Sequence, residues 1–378
     1  MKDAGYAIAA FPGDGTGPEV VHEGLKVLNA LGEGAAAPWH VTEYPGGGQY
    51  YLARGREWEP DAEAAAKAAD AILVGAVGWP GATLPNGDLA GRALVLGLRE
   101  GLDLFANVRP CKLYPGVTHR ISGGFREVWA PKNVDLVIVR ENTEDLYTPA
   151  RGRLRRGGET EVAIDTRVVT RKGTERVIRF AFELARSRPR GAPEDGVRRL
   201  TCVDKSNVLE GCRYFRETFD RIGAAEFPEV ERDYAYVDAF TQWLIRGPEH
   251  YDVVVAPNMI GDIITDLAAV LQGGMGFASG ANIGGEHAMF EPVHGSAPKH
   301  AGKNRVNPFA TFLALEQMLR WLGTRHADPR LVVQADRLEQ AIARTLASGA
   351  ARTYDQGGTA TTSEAGDAVA AAVRGAGR

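Results

Sequence analysis

Short apolar runs of strand length alternate with longer helical patterns along this chain, and this alternation limits the folds open to it. Tyr6–Phe11 has the composition of a buried strand, and Gly17–Leu31 has the period of a helix whose first turn contains Pro18, a favoured position for proline. The β-branched runs Val134–Val139 and Val253–Ala256 are typical of buried parallel strands. Repeated alternation of this kind predicts an α/β architecture.

Length and composition narrow the class of protein further. The chain has 378 residues, more than a single hydrophobic core usually serves, so one large or two medium domains are expected. Its 44 basic and 48 acidic residues nearly balance, which gives no broad electrostatic reason to bind nucleic acid or an anionic membrane. The three cysteines are too few and too widely spaced for a disulfide framework, and the apolar N-terminal stretch is too short for a signal peptide or a membrane span. A cytoplasmic location is therefore expected.

The strongest local feature is a pair of aspartates in the segment GDIITDLAAVL. Asp262 and Asp266 are four residues apart, so on a helix their carboxylates project from one face, where like charges repel. A divalent cation between them removes the repulsion, and Mg²⁺ and Mn²⁺ prefer carboxylate oxygens. Such a pair alone is more often a solvated helix face. Here it follows the buried-type run VVVAPNMIG, which places it at a strand-to-helix corner, where the sites of α/β proteins form.

Basic and proton-transfer residues accompany the acidic pair. Arg99, Arg109 and Arg140 lie at helix or strand ends, and arginine forks bind carboxylates in a bidentate manner. With a cation nearby, they indicate a small polyanionic substrate. Tyr147 in RENTEDLY and Lys205 in VDKSNVL are candidate proton-transfer groups, because cationic neighbours lower the pKa of a lysine. Each of these residues, taken alone, also fits a surface ion pair or a packing role.

Two glycine-rich segments are candidates for a nucleotide site. PGDGTGPEV, at residues 12–20, resembles the Rossmann fingerprint only superficially, because its glycines alternate and no acidic residue follows a second strand at the expected place. The run from GGMGF to RVNP is the better candidate, since it combines flexible turns with His294, Lys299, His300 and Arg305. Basic side chains of this kind suit the phosphates of a dinucleotide. The sequence thus predicts a non-Rossmann cofactor site.

The segment from Ala150 to Arg171 is polar and rich in arginine, glycine and threonine. It predicts an exposed two-stranded arm, and two interpretations of that arm stay open. One is a solvated hairpin, and the other is an arm through which two copies of the chain associate.

Taken together, these stretches resemble the isocitrate and isopropylmalate dehydrogenase family of β-decarboxylating dehydrogenases. The matching stretches, in family order, are FPGDGTGPEV, LREGLDLFANVRP, VIVRENTEDLY, VDKSNVL, APNMIGDIITDLAA, EPVHGSAP and the NP at 307–308. The resemblance implies an isopropylmalate-dehydrogenase-like fold with two α/β domains. The large domain would comprise 1–106 and 258–378, and the small one 107–257 with a dimerisation arm at about 150–171. It also implies a homodimer whose sites are shared between the subunits.

The resemblance assigns a role to each matching residue. The carboxylates of a malate-type substrate would be bound by Arg99, Arg109 and Arg140. The Mg²⁺ or Mn²⁺ ion would be bound by Asp262 and Asp266 together with Asp238 of the partner subunit. Lys205 of the partner subunit would act as base or relay, and Tyr147 would protonate the enolate after loss of CO₂. The dinucleotide would lie along His294, Gly295, Ala297 and Asn307.

Two departures from the family pattern bear on specificity, and the first concerns the cofactor. Members that use NAD commonly have an aspartate where this chain has Lys299, and an acidic side chain there would repel a 2′-phosphate. Lys299 with His300 is instead similar to the pattern of NADP-using isocitrate dehydrogenases, and Tyr354 matches another of their phosphate contacts. The later arginine of that set is Gly358 here. NADP is therefore favoured, and NAD stays open.

The second departure concerns the γ-substituent of the substrate. The segment GRALVLGLR, in a helix predicted at Leu89–Gly101, has Arg92 where isopropylmalate enzymes have a glutamate. If Arg92 faces the substrate, the tail is a carboxylate or a phosphonate, since a bidentate fork suits both. If it faces away, Val95 and Leu96 line an apolar pocket. The predicted activity is oxidative decarboxylation of a 3-substituted malate. The open alternatives are an isopropylmalate, homoisocitrate or tartrate-type dehydrogenase and a non-catalytic subunit of the same fold.

Overall fold

A computed structural model describes residues 5–33 and 38–375 of the chain. They form two compact units, each with its own strands, helices and hydrophobic core. Unit 1 comprises the chain up to Leu104, Leu113–Pro131 and the chain from Ala269 onwards, and unit 2 comprises Phe105–Lys112 and Lys132–Ala268. Within the described ranges, no helix is long and apolar enough to cross a membrane. The α/β class predicted from the sequence is confirmed.

Among the described residues, unit 1 combines a mostly parallel set of strands with seven α-helices, and elements are numbered in chain order. Its strands are β1 (Tyr6–Phe11), β2 (Trp39–Glu43), β3 (Ala71–Val74), β5 (His119–Ile121), β6 (Gly124–Arg126), β13 (Ser279–Ile283) and β14 (Ala288–Pro292). Its helices are α1 (Gly17–Gly32), α2 (Gly48–Arg54), α3 (Ala62–Ala68), α4 (Leu98–Gly101), α9 (Phe309–Arg325), α10 (Pro329–Ser348) and α11 (Thr362–Gly375). Five strands lie side by side in the order β13-β14-β3-β1-β2, with only β13 and β14 antiparallel, while β5 and β6 form a separate hairpin.

Unit 2 has the same kind of architecture. Its strands are β4 (Ala106–Lys112), β7 (Asp135–Glu141), β8 (Arg151–Arg156), β9 (Glu159–Asp165), β10 (Arg199–Asp204), β11 (Glu231–Tyr236) and β12 (Val253–Ala256). Its helices are α5 (Arg171–Ser187), α6 (Glu210–Glu226), α7 (Val237–Arg246) and α8 (Asn258–Ala269). The strands run in the order β11-β10-β12-β7-β4, and the first four are parallel. Their carboxyl ends therefore meet at one edge, which is where the sites of open α/β sheets form.

The two units differ from the predicted domains at Phe105 and Ala106, which belong to unit 2, and in two longer segments. The segment 113–131 belongs to unit 1, because Thr118 donates to Gln356 and the His119 ring contacts the Leu271 carbonyl at 2.9 Å. All of helix α8 except its last residue, Ala269, belongs to unit 2, because Asn258 accepts from the Arg140 side chain and donates to the Glu144 carbonyl. Hydrogen bonds between residues far apart in sequence therefore determine both boundaries.

The predicted two-stranded arm is present as β8 and β9. The strands pair antiparallel from Arg151↔Asp165 to Arg156↔Glu159, and every residue of both strands is exposed. Leu154 pairs with Val162, so apolar side chains lie on one face of the arm. The association of two copies through this arm stays a prediction. All three cysteines are free and buried, as expected for a chain without a disulfide framework.

Candidate active site

The candidate site of unit 2 lies at the edge where its parallel strands end. Arg140 is the second-last residue of β7, and the loop that follows carries Tyr147. Asp262 lies in α8, which begins two residues after β12. Lys205 directly follows β10, and Asp238 lies in the first turn of α7, which directly follows β11. Four strand ends thus bring to one edge residues that are more than a hundred positions apart in the sequence.

Asp262 is the centre of this arrangement. Its Oδ2 accepts a hydrogen bond from the Tyr147 hydroxyl at 2.6 Å, and its Oδ1 pairs with Nη1 of Arg140. Gly261 permits this close approach, since a Cβ there would lie 2.7 Å from the Arg140 side chain. The Asp262 side chain stays 37% exposed. Its carboxylate is therefore oriented by two protein groups and is still accessible to a ligand.

Asp262 and Asp266 fit a divalent metal by the chemistry of their donors. Both are carboxylates on the same helix, and the pKa of Asp266 is raised, first by partial desolvation and also by Asp262, while Arg109 opposes the rise. Mg²⁺ is commonly held by one or two carboxylates with substrate and water supplying the remaining oxygens. Within the described part of one chain, no group of three or more His, Cys, Asp or Glu residues is arranged to hold a metal. Asp238 is therefore not brought to this pair inside one chain, and its contribution from a partner subunit stays a prediction.

Two buried arginines flank the aspartates. Arg109 is 8% exposed and donates from Nε to Oδ1 of Asn107 at 2.7 Å, and Arg140 is 3% exposed and donates from Nε to Oδ1 of Asn258 at 2.9 Å. A side-chain amide is neutral, so it orients a guanidinium without cancelling its charge. Both arginines are thus held as oriented cations beside the aspartate pair, which suits the carboxylates of a substrate.

Tyr147 is a protonated phenol over the ordinary pH range. Desolvation and the hydrogen bond to Asp262 raise its pKa to about 12, against an opposing contribution from Arg140. The Arg140 guanidinium lies 5.2 Å from the centre of the Tyr147 ring, which holds the ring in place. A phenol that keeps its proton and is directed at a metal-type carboxylate can act as a proton donor.

In the metal-free protein, Tyr147→Phe is expected to remove a stability contribution that disappears at alkaline pH. The pKa of about 12 in the folded protein exceeds the value of about 10 for an unfolded chain, so the folded state binds the proton more tightly. The contribution is complete below about pH 10 and is lost as the pH rises through about 12. Urea unfolding of both proteins across this range measures it. A difference in unfolding free energy that stays constant with pH would contradict the raised pKa.

Lys205 and Asp238 pair with each other within the chain. Their Nζ and Oδ1 atoms are 2.6 Å apart, and this hydrogen bond lowers the pKa of Asp238. The turn that carries Lys205 is fixed by Asp204, a fully buried carboxylate that accepts from the Ser206 amide at 2.8 Å and from Arg216 at 2.8 and 3.0 Å. The structure therefore presents these two predicted residues as a preformed pair at the strand-end edge of unit 2.

The segment predicted to form one helix at Leu89–Gly101 is irregular, and that prediction is wrong in detail. A π-helix spans Ala93–Gly97, and α4 follows it. Glu57 holds the chain at the start of the π-helix. Its Oε1 accepts hydrogen bonds from the amides of Gly91 and Ala93, on either side of Arg92. Gly91 has φ +96°, which a helical residue cannot adopt and which explains why the regular helix does not begin earlier.

The predicted substrate residues of this segment have different environments. Arg92 is partly exposed, with Nη1 3.6 Å from Oδ2 of Asp88, and Val95 and Leu96 are half-buried. Arg99 is 7% exposed and donates from Nη2 to Oε1 of Glu291 at 2.7 Å. Like Arg140 in unit 2, Arg99 is therefore paired with an anionic side chain.

Unit 1 contains a cavity of 490 Å³ that four of the predicted cofactor residues line. Those four are His294, Gly295, Ala297 and Asn307. The pKa of His294 is lowered by burial, and its Nε2 is buried without a hydrogen-bond partner among the described residues, so a ligand can satisfy it. Gly276 lets the backbone pack closely against Asn307 in the cavity wall, since a Cβ there would lie 2.6 Å from Nδ2 of Asn307. Size, shape and an unsatisfied polar atom together fit the adenosine part of a dinucleotide.

Basic side chains surround Tyr354, which lines this cavity. The His300 ring stacks on Tyr354 with centroids 5.5 Å apart, and the Arg305 guanidinium lies 4.6 Å from the centre of the same ring. Arg120 also lines the cavity, and its charge acts on the Tyr354 hydroxyl. Lys299 is exposed and is not among the residues that line the cavity. The structure therefore gathers basic side chains around Tyr354, which the sequence resemblance matches to a phosphate contact.

Some residues of these sites were not identified from the sequence. Arg120 comes from the hairpin of β5 and β6, and Asn258, Glu57 and Glu291 act by orienting other residues. The one sequence signal for Asn258 and Glu291 is their place inside the matching stretches APNMIGDIITDLAA and EPVHGSAP. No pattern in the sequence connects Arg120 with Tyr354.

An acidic metal-type site in one unit and a nucleotide-sized cavity in the other are the components of a metal-dependent dehydrogenase. The family model described as isocitrate/isopropylmalate dehydrogenase matches residues 7–369. The chain belongs to this family, and it is accordingly an NAD(P)-dependent β-decarboxylating dehydrogenase.

Curated relatives and a solved structure agree with this assignment. A 3-isopropylmalate dehydrogenase of Thermobifida fusca is 43% identical over 367 residues, with 96% of each chain covered. A 3-isopropylmalate dehydrogenase of Streptomyces griseus is 43% identical over 375 residues, covering 97% of this chain and 98% of the relative. The crystal structure of isocitrate dehydrogenase from Methylococcus capsulatus aligns with a TM-score of 0.83 at 33% identity, covering 98% of this chain and 99% of that one.

Proposed function

We propose that the protein catalyses the metal-dependent oxidation and decarboxylation of a 3-substituted malate. The observation that carries this proposal is the contact of one accessible carboxylate, Asp262, with both a buried arginine and a protonated phenol. Such a group can bind a metal-chelated hydroxy acid, hold its carboxylates and deliver a proton. The names of the curated relatives support a malate with a substituent at C3.

The reaction divides among the residues as follows. Arg109 and Arg140 bind the substrate carboxylates and orient C2 for transfer of its hydride to the nicotinamide. Lys205 of the partner subunit accepts the hydroxyl proton. Asp262 and Asp266 would hold the divalent cation, which would supply polarisation of the hydroxyl and ketone oxygens. The bond from C3 to its carboxylate breaks, CO₂ leaves, and Tyr147 gives its proton to C3 of the enolate.

Arg92 supports an anionic substituent at C3. Its backbone is fixed by Glu57, and its guanidinium is only loosely paired with Asp88 at 3.6 Å. A carboxylate or phosphonate would offer a shorter, bidentate partner. The second candidate is an apolar tail, as in 3-isopropylmalate, and the half-buried Val95 and Leu96 favour it.

The protein would act as a homodimer in the cytoplasm. Arg99 would bind the substrate together with Arg109 and Arg140.

NADP is the proposed cofactor, and the basic group around Tyr354 supports it. A 2′-phosphate carries about −1.5 to −2 charge and suits several cationic donors. Arg305 and Arg120 lie next to Tyr354, and Lys299 and His300 precede this region in the chain.

Arg305→Ala is expected to weaken binding of 2′,5′-ADP by about tenfold or more, because a charge-assisted contact to the 2′-phosphate is lost. Binding of 5′-AMP, which lacks that phosphate, is expected to stay unchanged. Calorimetric titration of both nucleotides measures this. Lys303→Ala is the matched control, since it removes an exposed positive charge two residues away. Equal affinity of the wild-type protein for the two nucleotides would contradict the NADP proposal.

The proposed activity is tested with a panel of 2-hydroxy-3-carboxy acids that have apolar, carboxylate or phosphonate tails. Each acid is incubated with NAD or NADP and with Mg²⁺ or Mn²⁺, and formation of the reduced cofactor is followed. We expect turnover with an anionic tail and NADP. If ligands bind but no acid turns over with either cofactor, the chain is a non-catalytic subunit and the proposal is wrong.

A further inference from the structure

Asp145 has an unusual backbone conformation next to the proposed proton donor. It lies two residues before Tyr147, is 2% exposed, and has φ +70°. This left-handed conformation is uncommon for residues other than glycine, although aspartate tolerates it better than most. A buried carboxylate in a strained position requires partners that hold it there.

The Asp145 carboxylate connects two separate parts of unit 2. Its Oδ1 accepts from Nε of Arg167 at 2.6 Å, and its Oδ2 accepts from the backbone amide of Met259 at 3.1 Å. Met259 is the second residue of α8 and lies three residues before Asp262. The carboxylate therefore ties the Tyr147 loop to the start of the helix that carries Asp262.

The other partner, Arg167, comes from the end of the arm. Asp145 and Val168 also form a backbone bridge, with N–H···O distances of 2.8 Å and 3.2 Å in the two directions. Arg167 is supported from α6, since its Nη1 donates to Sγ of Cys212 at 3.1 Å. The side chain and the backbone of Asp145 thus connect the Tyr147 loop to both the end of the arm and helix α8.

We propose that Asp145 is a positioning residue that sets the distance between the Tyr147 hydroxyl and Asp262, with Arg167 as its counter-ion. The inference rests on the proposed role of Tyr147 as proton donor. Without the Asp145 carboxylate, the loop and the helix lose the side-chain connection closest to Tyr147 and keep the hydrogen bond from Asn258 to the Glu144 carbonyl, so the 2.6 Å contact between Tyr147 and Asp262 is held less firmly. A misplacement of about 1 Å can reduce a rate by about 100-fold.

A double-mutant cycle tests the proposal. Asp145→Asn keeps the size and the tolerance for a left-handed backbone but removes the charge. We expect it to lower kcat by about 100-fold in the wild-type background and to have little further effect in the Tyr147→Phe background. The KM for the cofactor is expected to stay constant in both. An equal loss of kcat in the two backgrounds would show that Asp145 does not act through Tyr147 and would overturn the inference.

Asp252→Asn is the matched control for loss of a buried ion pair. Asp252 is fully buried with Arg188 at 2.6 Å, and it lies at the opposite end of β12 from α8. The Asp252→Asn variant is expected to have a lower unfolding midpoint and an unchanged kcat. If it loses as much kcat as Asp145→Asn, the loss in Asp145→Asn is due to general destabilisation and the proposal is wrong. If Asp145→Asn does not fold, Arg167→Lys, which keeps the charge, and Arg167→Met, which does not, are compared in the same cycle. If Tyr147→Phe leaves kcat unchanged, the proposed function of Tyr147 fails, independently of Asp145.

Discussion

Replacing Asp262 with asparagine is expected to lower kcat/KM by about three orders of magnitude. The change removes the negative charge that would bind the cation, and it leaves the buried Arg140 beside a neutral amide. It also removes the carboxylate that accepts the Tyr147 hydrogen bond. Three interactions of the proposed reaction thus depend on one side chain. Steady-state kinetics with saturating Mg²⁺ or Mn²⁺ measure the loss, and titration with Mn²⁺ measures the weakened metal binding.

Asp252→Asn serves as the control for this experiment as well. It makes the same chemical change at a more deeply buried aspartate and is expected to cost about 3 kcal/mol of stability, because Arg188 loses its fully buried partner and keeps only the more exposed Asp135. Its kcat/KM is expected to equal that of the wild type below the unfolding temperature. If Asp262→Asn retains wild-type activity and metal affinity, the assigned metal site is wrong.

Replacing Arg92 with glutamate is expected to lower kcat/KM for substrates with anionic tails by about 100-fold or more relative to 3-isopropylmalate. The substitution restores the residue type that isopropylmalate enzymes present at this position, and it repels a carboxylate or phosphonate. Glu57 bonds the backbone on both sides of position 92, so the local structure is expected to survive the change. The ratio of kcat/KM values for paired substrates, one anionic and one apolar, measures the effect.

Arg54→Glu is the matched control for Arg92→Glu. Arg54 is exposed at the end of α2, in the same unit, so its replacement makes the same change of charge away from the segment that carries Arg92. It is expected to leave the substrate ratio unchanged. An identical ratio of kcat/KM values for wild type and Arg92→Glu would show that Arg92 does not contact the substrate tail. The alternative, an apolar tail bound by Val95 and Leu96, would then be favoured.

Much of the unit 2 site was predictable because it depends on strand ends. The runs Val134–Val139 and Val253–Ala256 indicated buried parallel strands, and residues that follow such strands meet at one edge. Asp262, Arg140 and Tyr147 were each identified from motifs, and the structure places all three in direct contact. Which carboxylate oxygen meets which partner depends on packing that no motif encodes.

Other features were not predictable, because they arise from contacts between distant parts of the chain. His119 and Leu271 are 152 positions apart, and their contact places the hairpin of β5 and β6 in unit 1. Arg120 lines the cavity because it lies in that hairpin, so sequence patterns near Arg120 could not predict this position. The π-helix at Ala93–Gly97 lies where a regular helix was expected, and Glu57, far earlier in the chain, accepts hydrogen bonds from the Gly91 and Ala93 amides at its start. Asp145 was missed because its role follows from backbone geometry.

We propose that this family member oxidises and decarboxylates its substrate at the Asp262 site. The most direct test measures CO₂ release and cofactor reduction in the same reaction, with the best acid of the panel, before and after chelation of divalent metal. We predict one CO₂ for each reduced cofactor, with both signals abolished by chelation and restored by Mg²⁺ or Mn²⁺. Reduced cofactor without CO₂, as a tartrate-type enzyme would give, or turnover that survives chelation would contradict it.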